Sequence, residues 1–332
     1  MPTKNPFSNT MIADLPEPEN IDIGSLLESI DRQEIDLVCV LGPTASGKTK
    51  YAVRLAREFN RLRTDADRHF RLSGAAGAEI ISGDSRQVYR GMDIGTGKDL
   101  SEYGEVPYHL IDIVDAGTRF NLYQYQNAFE AAYRDVTGRG GIPILCGGSG
   151  LYLEAATCGY SIPDVPPSPE LRAELEEKTT EELVSMLSSL KPLHNKTDID
   201  TRKRIIRAIE IEVYRKEHSV ENTCCLPKNT YYIGTLVSRE ERNRRIDARL
   251  DARMEEGMAD EVRRLLASGI PAEDLMYYGL EYKFVTQYVL GILTLKDMKT
   301  LLANAIHQFA KRQMTWFRGM ERKGIKIHWV NP

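Results

Sequence analysis

Residues 37–49, LVCVLGPTASGKT, decide the fold. Leu37 to Leu41 is an apolar run without a polar break, the pattern of a strand buried on both faces of a parallel sheet. Gly42-Pro43-Thr44-Ala45-Ser46-Gly47-Lys48-Thr49 then fits G-x-x-x-x-G-K-[ST]. Its glycines let the backbone fold back so that successive N–H groups point into one concavity. From Lys48 onward, Tyr51, Leu55 and Phe59 recur every four residues, so a helix follows over 48–59 and presents its positive end to the same concavity. Lys48 supplies a mobile cation for phosphate oxygens, and the Thr49 hydroxyl is the Mg²⁺ ligand of such loops.

Working outward, 78–82 (AEIIS), 109–113 (HLIDI) and 143–146 (PILC) read as further short strands, and 120–136 as a helix. Strands alternating with helices predict an α/β fold: a P-loop NTPase-like parallel sheet flanked by helices, with a mostly helical insertion or second domain. Pro163, Pro166, Pro167 and Pro169 mark its boundary. Helical periodicity then runs through 170–190, 201–216, 239–267 and 295–320, and Thr179 with Glu182 and Ser238 with Glu241 have capping-box spacing. Two strand-like pieces, 231–237 and 325–330, are placed to rejoin the sheet. The expected organisation is an extension at 1–34 with little core signal, a P-loop core at 35–160, a helical region at 161–235 and C-terminal helices at 236–332 returning to the core. Residues 61–77 read as an inserted loop.

Lys and Arg number 44 against 48 Asp and Glu, a net charge of −4, which excludes a generally polybasic nucleic-acid binder and requires local patches instead. No apolar run approaches membrane-spanning length, and 1–19 lacks the apolar segment of a secretory signal. The 5 cysteines include no C-x-x-C, and Cys39 and Cys146 sit in apolar runs as buried thiols, so a cytoplasmic, reducing compartment is expected.

The phosphate loop alone leaves the ligand open. An ATP-using small-molecule kinase is one reading, with Asp112 as the acid that would end a Walker-B strand. The segment Ser82-Gly83-Asp84-Ser85-Arg86-Gln87 argues for more than phosphate binding. It places a carboxylate and an amide at the C-terminal end of a strand, the edge that faces the ligand crevice in such sheets. Asp84 there can serve as a general base.

GPTASGKT (42–49), SGDSRQVYRGMDIGTGK (82–98), VPYHLIDIVD (106–115) and GIPILCGGSGLYLEA (141–155) together resemble the tRNA dimethylallyltransferase family, bacterial type. The resemblance continues through RIIRAIEI (204–211), SREERNRRIDARLDARM (238–254), AKRQMTWFRG (310–319) and IHWV (327–330). It implies transfer of a dimethylallyl group from dimethylallyl diphosphate to N6 of the adenosine 3′ of the anticodon, in tRNAs reading codons that begin with U. By the same resemblance the loop holds a prenyl diphosphate, with Mg²⁺ as cofactor. Asp84 then accepts the N6 proton, Thr44 supports the reacting end, and Arg249 joins Gly42 to Thr49 on the diphosphate.

The resemblance further implies that Asp84, Ser85, Arg86 and Gln87 meet a flipped-out base, and that Ser149 and Arg172 contact tRNA. Residues 196–216, net +3 and including Lys203, Arg204 and Arg207, and residues 303–329, net +5, are the basic stretches suited to a phosphate backbone. Tyr282 and Lys283 match a tRNA-contacting element of the family, although Glu281 stands where the family usually has Gly. The expected protein works as a monomer without a membrane and without the C-terminal zinc finger of eukaryotic members. The competing readings are the kinase, a prenyltransferase acting on free adenine nucleotide, and a non-catalytic RNA-binding nucleotide switch.

Overall fold

The computed structural model describes residues 16–65, 76–159, 165–192, 199–218 and 227–332. Residues 1–15, most of the expected insertion (66–75), Pro163, Lys196, Cys224 and Cys225 lie outside the described residues. The chain divides into two compact units, Met1–Cys158 with Leu226–Pro332, and Gly159–Cys225.

In the larger unit, β1 (Leu37–Leu41) is buried at every position. Its backbone pairs in parallel with β6 (Ile142–Gly147) on one side and β7 (Thr230–Thr235) on the other. With β2 (Ala78–Ser82), β4 (Tyr108–His109) and β8 (Ile327–Val330), the strands form a six-stranded sheet in the order β4-β2-β6-β1-β7-β8. Side chains alternate across it. Val38 and Val40 face a core built with α1 (Ile23–Asp31) and α2 (Lys48–Arg63). Leu37, Cys39 and Leu41 face a core built with α3 (Leu122–Gly138), α4 (Gly150–Thr157) and the last turns of α12 (Leu295–Arg322). This period-2 partition explains why an unbroken apolar run is needed: each face must be covered by helices.

A third core joins α8 (Arg239–Glu255), α9 (Met258–Ala267), α10 (Ala272–Tyr277), α11 (Leu280–Val289) and the first half of α12 around Val88, Tyr89 and Met92. Tyr89 belongs to a small parallel pair, β3 (Tyr89–Arg90) with β5 (Val114–Asp115). The smaller unit is helical: α5 (Pro169–Glu176), α6 (Thr180–Leu190) and α7 (Arg202–Glu217) enclose Leu175, Leu183, Leu187, Ile205 and Ile209.

The sheet and most helices agree with the sequence reading, and the differences have local causes. The segment 109–113 is not a strand, because Leu110 and Asp112 adopt left-handed backbone conformations (φ 62 and 57) that end β4 after His109. The expected helix over 239–267 is two helices, broken where Gly257 turns to φ 101. The helix over 170–190 also divides, and the capping box Thr179–Glu182 starts its second half. Glu241 completes no reciprocal box with Ser238; its carboxylate instead pairs with Arg244 and Arg245.

Residues 16–34 are not a loose extension, since α1 buries Leu26, Leu27 and Ile30 against the sheet core. The smaller unit ends at Cys225, short of the expected 235, because β7 belongs to the sheet.

Candidate active site

The loop 42–49 leaves β1 at the centre of the sheet and turns through Ala45 and Gly47, both left-handed (φ 60 and 81), into α2. Gly47 precedes the helix without a side chain to cap it, so the first-turn N–H groups are left for an anion. Gly42, Pro43 and Ser46 form the buried back of the loop, where the Ser46 and Thr235 hydroxyls lie 2.6 Å apart. Thr44, Ala45, Gly47, Lys48 and Thr49 face a cavity of ≈ 520 Å³. Burial pulls the Lys48 ammonium below the ordinary lysine value; the Asp84 carboxylate opposes this, while Arg249 and Arg253 add repulsion.

The opposite wall comes from the end of β2. Gly83 N–H donates to Cys146 O (2.7 Å), and Gly147 packs so closely on the Gly83 backbone that any Cβ would clash there. The strand ends of β2 and β6 are thereby locked together. Asp84 follows, with its Oδ1 accepting the Arg86 N–H (2.8 Å), an Asx turn rather than a helix cap. The Ser82 hydroxyl donates to the Gln87 amide, which itself donates to Gly97 O (3.0 Å). Ser149 Oγ accepts the Ser85 N–H at 3.3 Å. Asp84, Ser85, Arg86, Gln87 and Ser149 all line the same cavity as the phosphate loop.

Helices α8, α11 and α12 close the cavity. Arg249, Lys283 and Glu281 line it. Burial pushes the Glu281 carboxyl up, opposed by Arg253 and Arg249. Tyr282 also borders the cavity, but it is only 1% exposed and its hydroxyl donates to Glu261 Oε1 at 2.6 Å. The same Glu261 carboxylate accepts the N–H groups of Asp93, Ile94 and Gly95.

Asp112 is a correction to the kinase reading. Its carboxylate pairs with buried Lys98, which also binds Asp93 and Tyr89 O, and it does not line the cavity, so the Walker-B acid of the kinase reading is missing from that position. Among the described residues no group of three His, Cys, Asp or Glu is placed to hold a metal. No described helix is long and apolar enough to cross a membrane.

Four expected RNA contacts lie in the smaller unit. Arg172 and Arg207 both grip Glu210, at 2.8 and 2.9 Å. Burial alone would raise the Glu210 carboxyl, but these guanidinium groups and the Ser168 N–H hold it at about 2. Arg204 pairs with Asp200 (3.0 Å), and Lys203 is exposed. Arg172 and Arg207 thus have a structural counter-ion that the sequence spacing did not reveal. In the other basic stretch, Phe317 and Trp329 are core residues, whereas Trp316 is exposed on α12.

Several cavity residues escaped the sequence reading. Gln313 receives the Thr44 N–H and donates to Gly148 O, each at 2.8 Å. Tyr277 lies at the cavity between the Arg86 and Arg119 guanidinium groups, 5.6 and 5.2 Å from its ring centre. Arg253 was signalled only by its spacing, one helical turn beyond Arg249.

A parallel sheet whose phosphate loop faces an acid across one cavity defines the chain as a P-loop protein. The IPP transferase family profile matches residues 87–320, and the chain belongs to that family. It is 52% identical over 300 residues to "tRNA dimethylallyltransferase 1" of Parabacteroides distasonis, covering 89% of this chain and 92% of that protein. It is 54% identical to "tRNA dimethylallyltransferase 2" of Porphyromonas gingivalis, covering 89% and 93%. The crystal structure of the tRNA isopentenylpyrophosphate transferase from Bacillus halodurans is similar at 33% identity and TM-score 0.60, covering 89% of each chain. A eukaryotic dimethylallyltransferase acting on tRNA shares the fold at TM-score 0.68 and 21% identity, over 89% of this chain and 74% of that one.

Proposed function

We propose that this protein transfers the dimethylallyl group of dimethylallyl diphosphate to N6 of the adenosine 3′ of the anticodon in tRNA, as a cytoplasmic enzyme. The observation that carries this reading is the placement of Asp84 on the same cavity as Lys48, Thr49 and Arg249. The adenine amine is a weak nucleophile because its lone pair is delocalised, so a carboxylate must take its proton as the new bond forms. In the step itself the allylic C1–O bond breaks, the N6–C1 bond forms, the N6 proton passes to Asp84, and diphosphate leaves. Lys48, the loop N–H groups and Arg249 hold the departing charge. Thr44 supports the reacting end of the donor.

The base reaches the cavity by leaving its stack, at a cost of a few kcal/mol. Arg86, Gln87 and Ser149 are placed to meet it, while Lys203 and Lys283 supply exposed cations for the RNA backbone.

Mg²⁺ fits this cavity. Thr49 and Glu102 both line it with hard oxygen donors. This ion takes one or two protein oxygens plus substrate phosphates rather than a dedicated cage. When bound it would neutralise charge on the leaving diphosphate. Thr49 and Glu102 would hold it.

Parallel incubations test the reading. Carbon-labelled dimethylallyl diphosphate should label tRNA, and γ-labelled ATP should release no phosphate. ATP turnover without tRNA labelling would restore the kinase.

A further inference from the structure

Arg253 is an anomaly at the cavity. It is 7% exposed, and its Nη2 finds no hydrogen-bond partner among the described residues. The neighbouring Arg249 has a buried Nε in the same condition. The nearest carboxylate, Asp99, stands 3.6 Å from both guanidinium groups, too far for a hydrogen bond. Burial together with repulsion from Arg249 brings Arg253 down to about 10, and the Glu281 and Asp99 carboxylates only partly oppose this. A buried cation left short of partners is costly unless something else completes its shell.

The surroundings are built to admit this pair. Gly97 sits at φ 61, and a Cβ there would collide with both guanidinium groups. Asp99, which follows it, is itself held at φ 45. Both arginines line the cavity that holds Lys48 and Thr49, and they reach a narrow recess bounded by Thr44 and Ala45 of the loop. The remaining walls of that recess are apolar, among them Leu250, Met258 and Ile306, apart from the Glu281 carboxyl, which makes no ion pair within 4 Å of either arginine among the described residues.

We infer that Arg253 is a second arginine of the diphosphate site, which with Arg249 grips the phosphate oxygens of the donor and of the pyrophosphate product, Asp99 serving as the counter-ion that those oxygens replace. The inference rests on the diphosphate reading of the cavity and adds to it a residue and an exchange of counter-ions. Without a ligand, Asp99 at 3.6 Å and the more distant Glu281 keep the two cations tolerable. A polyanion supplies several charge-assisted acceptors at once, and Asp99 is released from them.

Calorimetric titration with inorganic pyrophosphate tests this. Arg253→Met fills the apolar recess with a side chain of similar length and is expected to weaken pyrophosphate binding at least about tenfold. Arg253→Lys should restore part of that loss. Asp99→Asn, titrated with a chelator present, should tighten binding, because the resident competitor is gone. Wild-type affinity in Arg253→Met together with no tightening in Asp99→Asn would overturn the inference. Should Arg253→Met fail to fold, Asp99→Asn decides alone: tightening supports the inference, and unchanged or weaker binding overturns it. A wild-type protein that binds no pyrophosphate even with Mg²⁺ would instead overturn the diphosphate reading itself.

Discussion

Thr44 and Gln313 lie 269 residues apart in sequence, yet the Thr44 N–H donates to the Gln313 side-chain oxygen at 2.8 Å. The amide nitrogen of the same Gln313 donates to Gly148 O at 2.8 Å. One side chain of α12 therefore ties the phosphate loop to the end of β6. Gln313→Leu keeps the bulk and removes both bonds. It should cost about 1–3 kcal/mol in stability, because a backbone donor and a backbone acceptor lose their partner. It should also raise KM for the prenyl diphosphate more than it lowers kcat. Thermal unfolding and steady-state kinetics on one preparation separate the two effects.

Asp84 is fixed by its own Asx turn rather than by an ion pair. Asp84→Asn keeps that turn, since the amide oxygen still accepts the Arg86 N–H, but it cannot take a proton. Transfer should fall by about 10²–10⁴-fold, the usual weight of a general base, with tRNA affinity unchanged. Single-turnover transfer and filter binding measure these separately. Near-normal turnover would remove Asp84 as the base.

The smaller unit should be acid-sensitive. Glu210 is buried between Arg172 and Arg207, and its carboxyl is held at about 2. A folded-state value below the unfolded one gives stability that is complete above the ordinary glutamate range. That stability is lost as pH falls from there toward 2. Acid titration followed by circular dichroism should show part of the helical signal melting in this window, and Glu210→Gln should remove that pH dependence while lowering stability at neutral pH.

Leu27 is fully buried although it lies in what reads as an extension. Leu27→Ala should destabilise the larger unit by about 2–5 kcal/mol, as for other large-to-small core changes. Denaturant unfolding monitored by tryptophan fluorescence checks this. A change within about 0.5 kcal/mol, as at exposed positions, would mean that α1 is not part of the core.

Much of this architecture was legible because strands and helices each declare themselves through local pattern. The run 37–41, the loop 42–49 and the periodicity of 48–59 place the phosphate cradle from local pattern alone. What stayed hidden depended on long-range partners. HLIDI has the composition of a strand, and only the left-handed turns at Leu110 and Asp112 end it. Arg172 and Arg207 look like RNA-seeking cations until Glu210, buried on α7, is seen between them. Nothing near Tyr282 in sequence announces that its hydroxyl donates to Glu261. Gln313 and Arg253 carry no motif, and their importance comes from what the fold sets beside them. The sequence showed which residue types stood along the chain, while their counter-ions were fixed by tertiary packing.

The central claim is that one cavity joins a prenyl diphosphate to an extruded adenosine. Mass spectrometry of nucleosides from unmodified tRNA, treated with the purified protein and dimethylallyl diphosphate, addresses it directly. The account predicts N6-isopentenyladenosine at the position 3′ of the anticodon, formed only when donor and protein are both present. Recovery of unmodified adenosine at that position, from tRNA that the protein demonstrably binds, would contradict it.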